Sequence, residues 1–213
     1  MNEMIMDILP PGENSLIRCG IAAIVGRANV GKSTLVNAIL EEKISIVSSV
    51  AQTTRNMVRG VFTDSRGQIV FQDTPGIHKA SNELGKIMNK QARESIKGSD
   101  IIMQVLDTSI APRQEDEGWM RRLAFESQPL IFVLNKSDQS NPEYVQALRD
   151  TWKNVLEEKG VTRDALWLET SAANRDGIDA LVQTLFDHLP FGPMLFPEEM
   201  LTDFPRKIAI ADI

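Results

Sequence analysis

Basic residues, cysteine and long apolar runs are all scarce in this chain of 213 residues. With 23 Lys and Arg against 29 Asp and Glu, its net charge of -6 argues against non-specific nucleic-acid binding by this segment alone, because such binding needs clustered positive charge. The single cysteine, Cys19, allows no disulfide within the chain, which favours a reducing compartment. No run approaches the roughly 18 apolar residues of a membrane span, and no basic residue of a secretory signal precedes Arg18. We therefore expect a soluble, cytoplasmic protein with Cys19 in its core.

Strand-like and helix-like segments alternate along the chain, and hydrophobic residues make up 42% of it, enough for a sizeable core. The predicted strands cover residues 17–26, 57–64, 67–74, 100–107, 129–135 and 164–172. The predicted helices cover residues 33–41, 86–99, 114–127, 141–160 and 177–190. The second and third strands lie so close together that we expect a hairpin, and so one antiparallel strand. The alternation predicts a three-layer α/β domain with a six-stranded, mostly parallel sheet.

The stretch GRANVGKS, residues 26–33, lies between a predicted strand and a predicted helix and matches the phosphate-binding P-loop pattern. Gly26 and Gly31 allow the backbone to curl so that several N–H groups point at phosphate oxygens, and the start of the following helix adds a positive dipole end. Lys32 supplies a charge between the β- and γ-phosphates, and Ser33 a hydroxyl for Mg²⁺. The residues expected to bind nucleotide here are Gly26, Arg27, Ala28, Asn29, Val30, Gly31, Lys32, Ser33 and Thr34.

The stretch NKSD, residues 135–138, follows another predicted strand and indicates recognition of guanine. The Asp138 carboxylate can accept hydrogen bonds from N1–H and the exocyclic amine of guanine, whereas adenine would leave it unpaired. We expect Asn135 to brace the loop and reach the base, and the stem of Lys136 to cover the ring face. The turn ETSA, residues 169–172, would offer backbone N–H groups of Ser171 and chiefly Ala172 to the guanine O6 atom.

The stretch DTPG, residues 73–76, is expected to contact the γ-phosphate and its metal. Asp73 would hold Mg²⁺ through a water, and the N–H of Gly76 would touch the phosphate; Thr74 and Pro75 complete this contact. Residues 48–56 form a polar segment of the kind that orders on GTP binding and is released after hydrolysis. Its threonines, Thr53 and Thr54, are both candidates to close the Mg²⁺ shell, and their spacing does not choose between them.

Taken together, GRANVGKST, AQTTRN, DTPGIHK, NKSD and ETSA resemble the Era family of GTPases, in the TrmE–Era–EngA–YihA–Septin-like class. The resemblance implies a Ras-like P-loop NTPase fold, GTP or GDP with Mg²⁺ as ligands, and hydrolysis of GTP to GDP and phosphate. It assigns Thr54 to the metal, and it gives Asn29 a role as ligand of a K⁺ ion that replaces an arginine finger. The alternative for Asn29 is that it only braces the loop. The catalytic residues so implied are Lys32, Thr54, Gly76 and Asn29.

The same resemblance implies a role in small ribosomal subunit assembly and 3′-end maturation of its rRNA, in the cytoplasm or an organellar matrix or stroma. It implies an extension at 1–15, a GTPase domain at 16–190, and a linker at 191–213 that runs into a truncated RNA-binding KH domain. We expect a monomer that does not bind DNA, with peripheral membrane association as a further feature. Without the KH domain, RNA binding by this chain should be weak.

Besides the missing KH domain, one departure from Era-like sequences lies in the phosphate loop, and a further residue differs from Ras-like enzymes. Ala28 replaces the proline usual in Era-like loops, a change expected to be mild, and Ile77 stands where Ras-like enzymes carry a water-orienting glutamine. Ile77 leaves open a second interpretation: a nucleotide-controlled docking module that barely hydrolyses GTP unless bound to the ribosome. A third is another GTPase of the class, which AQTTRN and the segment FPEEMLTD disfavour.

Overall fold

The computed structural model describes residues 17–40, 59–73 and 96–196. The strands in these ranges are β1 (Arg18–Val25), β2 (Arg59–Asp64), β3 (Gly67–Asp73), β4 (Ile101–Asp107), β5 (Leu130–Asn135) and β6 (Leu166–Thr170). The α-helices are α1 (Lys32–Leu40), α2 (Gln114–Leu123), α3 (Pro142–Lys159) and α4 (Ile178–His188), and a short 3₁₀ helix spans Ser137–Gln139.

The six strands form one sheet in the order β2-β3-β1-β4-β5-β6. Only the β2–β3 pair is antiparallel, as the closely spaced strands predicted, and the other neighbours run parallel. The predicted six-stranded, mostly parallel sheet is therefore confirmed. Of the predicted helix at 86–99, residues 86–95 lie outside the described ranges.

Helix α2 ends at Leu123, four residues before the predicted end. The Ala124 N–H still bonds back to Met120 O, and the chain then turns away. After Ala124 the chain tightens into i→i−3 hydrogen bonds, from the Phe125 N–H to Arg122 O and from the Glu126 N–H to Leu123 O, and bonds of this type close the last turn of a helix.

Helices cover both faces of the sheet, so the strands in its middle are buried throughout and mostly apolar. Every residue of β4 and β5 is buried. Helices α1 and α4 pack on one face and α2 and α3 on the other. Helix α4 presents the predicted apolar stripe, and all of its members are buried: Ile178, Leu181, Val182, Leu185 and, directly after the helix, Leu189. Cys19 lies in the core as predicted, and burial raises the pKa of its thiol.

The exit segment, residues 189–196, leaves α4 and lies against the amino ends of β1 and β3. Arg18 Nη1 donates to the carbonyl of Leu189 at 2.6 Å. The Gln68 carboxamide holds the far end of the segment, since its Nε2 donates to the Phe196 carbonyl and its Oε1 accepts from the Phe196 N–H, both at 2.9 Å. The exit segment is therefore pinned at both ends to the sheet.

Within the described ranges, no helix combines the length and the apolar character needed to cross a lipid bilayer.

Candidate functional site

The predicted nucleotide-binding motifs meet at one edge of the sheet, where the parallel strands end. The phosphate loop follows β1, Asp73 is the last residue of β3, and Asn135 is the last residue of β5. The turn containing Ser171 follows β6. Ligands of open α/β sheets bind at this carboxyl edge of the strands, so the fold brings together the motifs predicted from separate parts of the sequence.

The phosphate loop has the left-handed backbone that its glycines were expected to allow. Gly26 has a φ of 147° and Gly31 a φ of 96°, conformations that only glycine adopts without strain. A Cβ at Gly26 would lie 2.6 Å from the Val105 carbonyl oxygen, and one at Gly31 would overlap Asn135 Nδ2. The loop therefore requires glycine for its conformation and for the close approach of its neighbours.

Lys32 lies at the start of α1, and its ammonium group is held inside the curve of the loop. Its Nζ donates to the carbonyls of Gly26 at 3.2 Å and Arg27 at 3.0 Å. The first turn of α1 also offers N–H groups that have no partner further back in the helix, and Ser33 lies in that turn. Positive charge, the amino end of a helix and a hydroxyl thus converge as an anion site requires.

Asn29 stands at the outermost point of the loop, exposed and with a φ of 64°. Asparagine tolerates this left-handed conformation better than other non-glycine residues. Among the described residues, no hydrogen-bond partner of the Asn29 side chain is found, so the geometry does not support a bracing role. The side chain is accessible to a ligand, and its role toward K⁺ stays a prediction.

Asn135 joins three parts of the site. Its Nδ2 donates to the Val30 carbonyl at 2.8 Å, and its Oδ1 accepts from the Ala172 N–H at 3.1 Å and from Thr170 Oγ1 at 3.4 Å. The residue is 1% exposed. The predicted bracing role of Asn135 is thus visible in the geometry, and it connects the phosphate loop, the guanine loop and the turn after β6.

The contact predicted between the Ala172 N–H and the guanine O6 atom competes with a hydrogen bond that this N–H already makes. That N–H donates to Asn135 Oδ1, so a guanine oxygen would have to share or replace this bond. The contact stays a prediction.

Asp138 is an exposed carboxylate at the mouth of the site, in the 3₁₀ turn after β5. Its Oδ1 accepts a hydrogen bond from Ser171 Oγ at 2.6 Å, and its Oδ2 accepts one from Gln139 Nε2 at 3.1 Å. These bonds, the one from Ser171 first, hold the pKa of Asp138 below its ordinary value. The group is therefore ionised at neutral pH, as an acceptor for the N–H groups of guanine must be. Ser171 acts through its side chain on Asp138, a role the sequence did not indicate.

Lys136 has a left-handed backbone, with a φ of 64°, and its side chain reaches back into the site. Its Nζ donates to Asp107 Oδ2 at 2.7 Å. Asp107 is the last residue of β4 and also accepts from Ser109 Oγ at 2.6 Å. Burial acts to raise the pKa of Asp107, but the hydrogen bonds from Lys136 and Ser109 outweigh it and leave the pKa lowered.

Arg27 belongs to the phosphate loop by its backbone, but its side chain is buried beneath it, 6% exposed. Its Nε lies 3.2 Å from Asp116 Oδ2, its Nη2 lies 3.4 Å from Asp107 Oδ2, and its Nη1 donates to the Ala28 carbonyl at 3.3 Å. The guanidinium is thus placed between two buried carboxylates, so any contact of Arg27 with a nucleotide would be through its backbone.

Sequence reasoning missed Asp107 and Asp116. Asp116 lies in the first turn of the helix predicted at 114–127, and α2 does begin there, but Asp116 is only 3% exposed. Burial raises its pKa despite the nearby Arg27. Two signals could have found these residues. Asp107 ends a mostly apolar run, residues 101–107, at the carboxyl edge of the sheet, and Asp116 shares a helical face with the buried Trp119 and Leu123.

The remaining predicted site residues lie outside the described ranges. These are Thr54, Thr74, Pro75 and Gly76, together with Ile77. For Asp73 the described feature is its backbone, at the end of β3 beside Ile24 of β1. This places residue 73 next to the phosphate loop. A carboxylate at position 73 and the hydroxyl of Ser33 would both offer oxygen atoms, the type of ligand that Mg²⁺ prefers.

Comparison with known proteins identifies relatives of this arrangement. The sequence model of the family described as 50S ribosome-binding GTPase matches residues 21–136, more than half of the chain. GTPase Era of Crocosphaera subtropica is 39% identical over 208 residues, which cover 97% of this chain and 63% of that protein. These matches confirm the resemblance to Era GTPases.

Two solved structures of Era are also similar, each at 36% sequence identity. One is the complex of Era with MgGDPNP and nucleotides 1506-1542 of 16S ribosomal RNA, with a TM-score of 0.75, covering 89% of this chain and 63% of that one. The other is a single-residue variant of Aquifex aeolicus Era bound to GDP.AlF4-, with a TM-score of 0.77, covering 92% and 65%. The chain therefore spans less than two thirds of the length of these relatives.

Proposed function

This chain belongs to the family of 50S ribosome-binding GTPases, and we propose on that basis that it binds GTP and GDP with Mg²⁺ and hydrolyses GTP to GDP and phosphate. The observation that carries the proposal is the hydrogen bond of 2.8 Å from Asn135 Nδ2 to the Val30 carbonyl. It joins the predicted phosphate loop to the predicted guanine loop, and this supports one nucleotide bound across both.

In the proposed reaction, the phosphates lie in the curve of the loop and the Lys32 ammonium exchanges its two carbonyl partners for phosphate oxygens. The base lies against the guanine loop, where the ionised Asp138 accepts from its N1–H and amine. Ser33 and Asp73 would hold Mg²⁺, which neutralises charge on the phosphates when bound. Preorganised donors of this kind favour the charge that develops on the γ-phosphate as water attacks in line.

The test is phosphate release from GTP by the purified chain in the presence of Mg²⁺, with ATP as the matched substrate. We expect release from GTP and very little from ATP. The Asp138→Ala variant should lose the preference for GTP, because the acceptor for the guanine edge is gone. Equal release from the two nucleotides by the wild-type chain would contradict the proposal.

We further propose that Asn29 binds a K⁺ ion beside the phosphates. Its exposed position and its side chain, which lacks a hydrogen-bond partner among the described residues, support this role. Phosphate release should be faster in potassium chloride than in sodium chloride at equal ionic strength. The Asn29→Ala variant should be insensitive to the change of salt; a variant that keeps the full potassium effect would remove Asn29 from this role.

The ribosomal target is proposed to be the small subunit and its rRNA, with action in the cytoplasm, matrix or stroma. The family description names the 50S particle, whereas the similar Era structure contains 16S ribosomal RNA. Co-sedimentation with purified large and small subunits, each with GDP and with a non-hydrolysable GTP analogue, decides between them. Because the chain spans less than two thirds of its relatives, weak binding should be compared with that of a full-length relative.

A second candidate function is a docking module whose hydrolysis is negligible on its own. Ile77 favours it, because an isoleucine cannot hydrogen-bond the attacking water. This candidate predicts tight GTP binding with almost no phosphate release until small subunits are added. Release by the pure chain at a rate that subunits do not change would exclude it.

A further inference from the structure

Arg27 is unusual for a residue of a phosphate loop, because its charge is directed into the protein. The guanidinium contacts Asp107 and Asp116, and all three side chains are 7% exposed or less. A buried arginine is costly unless it is paired, so its position needs an explanation beyond the binding of phosphate by the loop's backbone.

One of its two partners is shared with the guanine loop. Asp107 Oδ2 lies 3.4 Å from Arg27 Nη2 and 2.7 Å from Lys136 Nζ. A single carboxylate oxygen therefore stands between the cation of one loop and the cation of the other. At the same time the Arg27 carbonyl accepts from Lys32 Nζ at 3.0 Å.

The second partner fixes Arg27 from below. Asp116 Oδ2 accepts from Arg27 Nε and also from the Arg113 N–H at 3.0 Å, in the capping box that starts α2. Gln104 of β4 donates to the Asp116 carbonyl at 3.1 Å. Asp116 is thus held by its own helix and by the neighbouring strand, which gives the guanidinium a rigid anchor.

From this arrangement we infer that Arg27 is a positioning residue, which couples the phosphate loop to the guanine loop through Asp107 and Lys136. The inference rests on the proposed function, because it concerns the same nucleotide site. Its consequence is that base selectivity depends on a residue of the phosphate loop that does not touch the base.

The test is a double-mutant cycle on GDP affinity, measured by displacement of a fluorescent GDP from the purified chain. Arg27→Met and Lys136→Met each remove one cation and keep an aliphatic stem, so the cover over the ring face is retained. Residues joined in one ion network show non-additive effects. We expect each single variant to weaken GDP binding about tenfold, and the double variant to be at least threefold tighter than the product of the two effects, given coupling energies of about 0.5–3 kcal/mol. Additivity within twofold would overturn the inference.

A second readout separates positioning from a general loss of structure. Inosine diphosphate lacks the exocyclic amine of guanine, so the ratio of GDP to IDP affinity reports on the base edge alone. Positioning predicts that Arg27→Met lowers this ratio, whereas general destabilisation would weaken both nucleotides equally and leave it unchanged. The control is Arg121→Gln, which removes a half-buried arginine that also pairs with two carboxylates, Glu117 and Glu158, and should leave the ratio at the wild-type value.

If Arg27→Met does not yield folded protein, the conservative Arg27→Lys variant is measured instead. Lysine keeps the charge but cannot reach both carboxylates with one planar group. An intermediate ratio of GDP to IDP affinity is therefore expected, and an unchanged ratio counts against the inference.

GDP binding by the wild-type chain distinguishes this inference from the proposed function. Failure of the wild type to bind GDP would remove the proposed function, whereas wild-type binding with an additive cycle removes only the role of Arg27.

Discussion

Asn135 is the residue whose removal should cost most, because it satisfies buried backbone groups on two different loops. Replacing it with alanine leaves the Val30 carbonyl and the Ala172 N–H without their partner. Val30 is 0% and Ala172 7% exposed, so water cannot easily compensate. An unsatisfied buried group costs about 1–3 kcal/mol, and two of them give a loss of about 2–6 kcal/mol in the free energy of unfolding.

The matched control is Asn141→Ala, at the start of α3. Asn141 also accepts from a backbone N–H, that of Glu143 at 2.9 Å, but it does so at the surface. Loss of such a helix cap costs about 1 kcal/mol. The assay is urea unfolding of both variants without nucleotide, with the midpoint compared at constant slope. If Asn135→Ala lost no more stability than Asn141→Ala, the description of Asn135 as a structural junction would be refuted.

Two further predictions concern the same region. Gly31→Ala forces a residue with a Cβ into a φ of 96° and against Asn135. For a strain of about 1–3 kcal/mol, GDP affinity should fall about tenfold or more. The control is Gly118→Ala in α2, where a Cβ meets nothing within 4 Å, and it should leave GDP affinity unchanged in the same titration. The raised pKa of Asp116 means that its contribution to stability is full below the unfolded pKa of about 3.9 and is lost as pH rises through the folded value. Asp116→Asn should therefore gain stability relative to the wild type as pH rises above about 4 in urea titrations, by at most about 1.4 kcal/mol for each pH unit. A difference that does not change with pH would argue against the burial cost.

The fold could be predicted because each element has a local signature. Apolar runs such as that of β5 are typical of the middle of a sheet whose two faces are both covered by helices. The glycines of the phosphate loop likewise adopt the positive φ values that their motif requires. The predicted end of α2 was wrong by four residues, because after Leu123 the chain closes with i→i−3 hydrogen bonds instead of continuing the α-helix.

The polar contacts beneath the site could not be predicted in the same way. A sequence indicates that Arg27 lies in a phosphate loop, but which way its side chain turns depends on carboxylates about 80–90 residues further along the chain. Such pairs are created by the parallel register of β1 and β4. Likewise, Ser171 bonds to Asp138 only because β5 and β6 are neighbours.

The exit segment has a mechanical consequence for the whole domain. It is fixed by Arg18 at the first residue of β1 and by Gln68 near the start of β3, and these same two strands end at the phosphate loop and at Asp73. An eight-residue strand is about 26 Å long at about 3.3 Å per residue. Phe196 is thus bonded to one end of strands whose other ends carry the predicted phosphate-contacting groups, so a displacement of the exit segment that moved β1 and β3 would also move those groups.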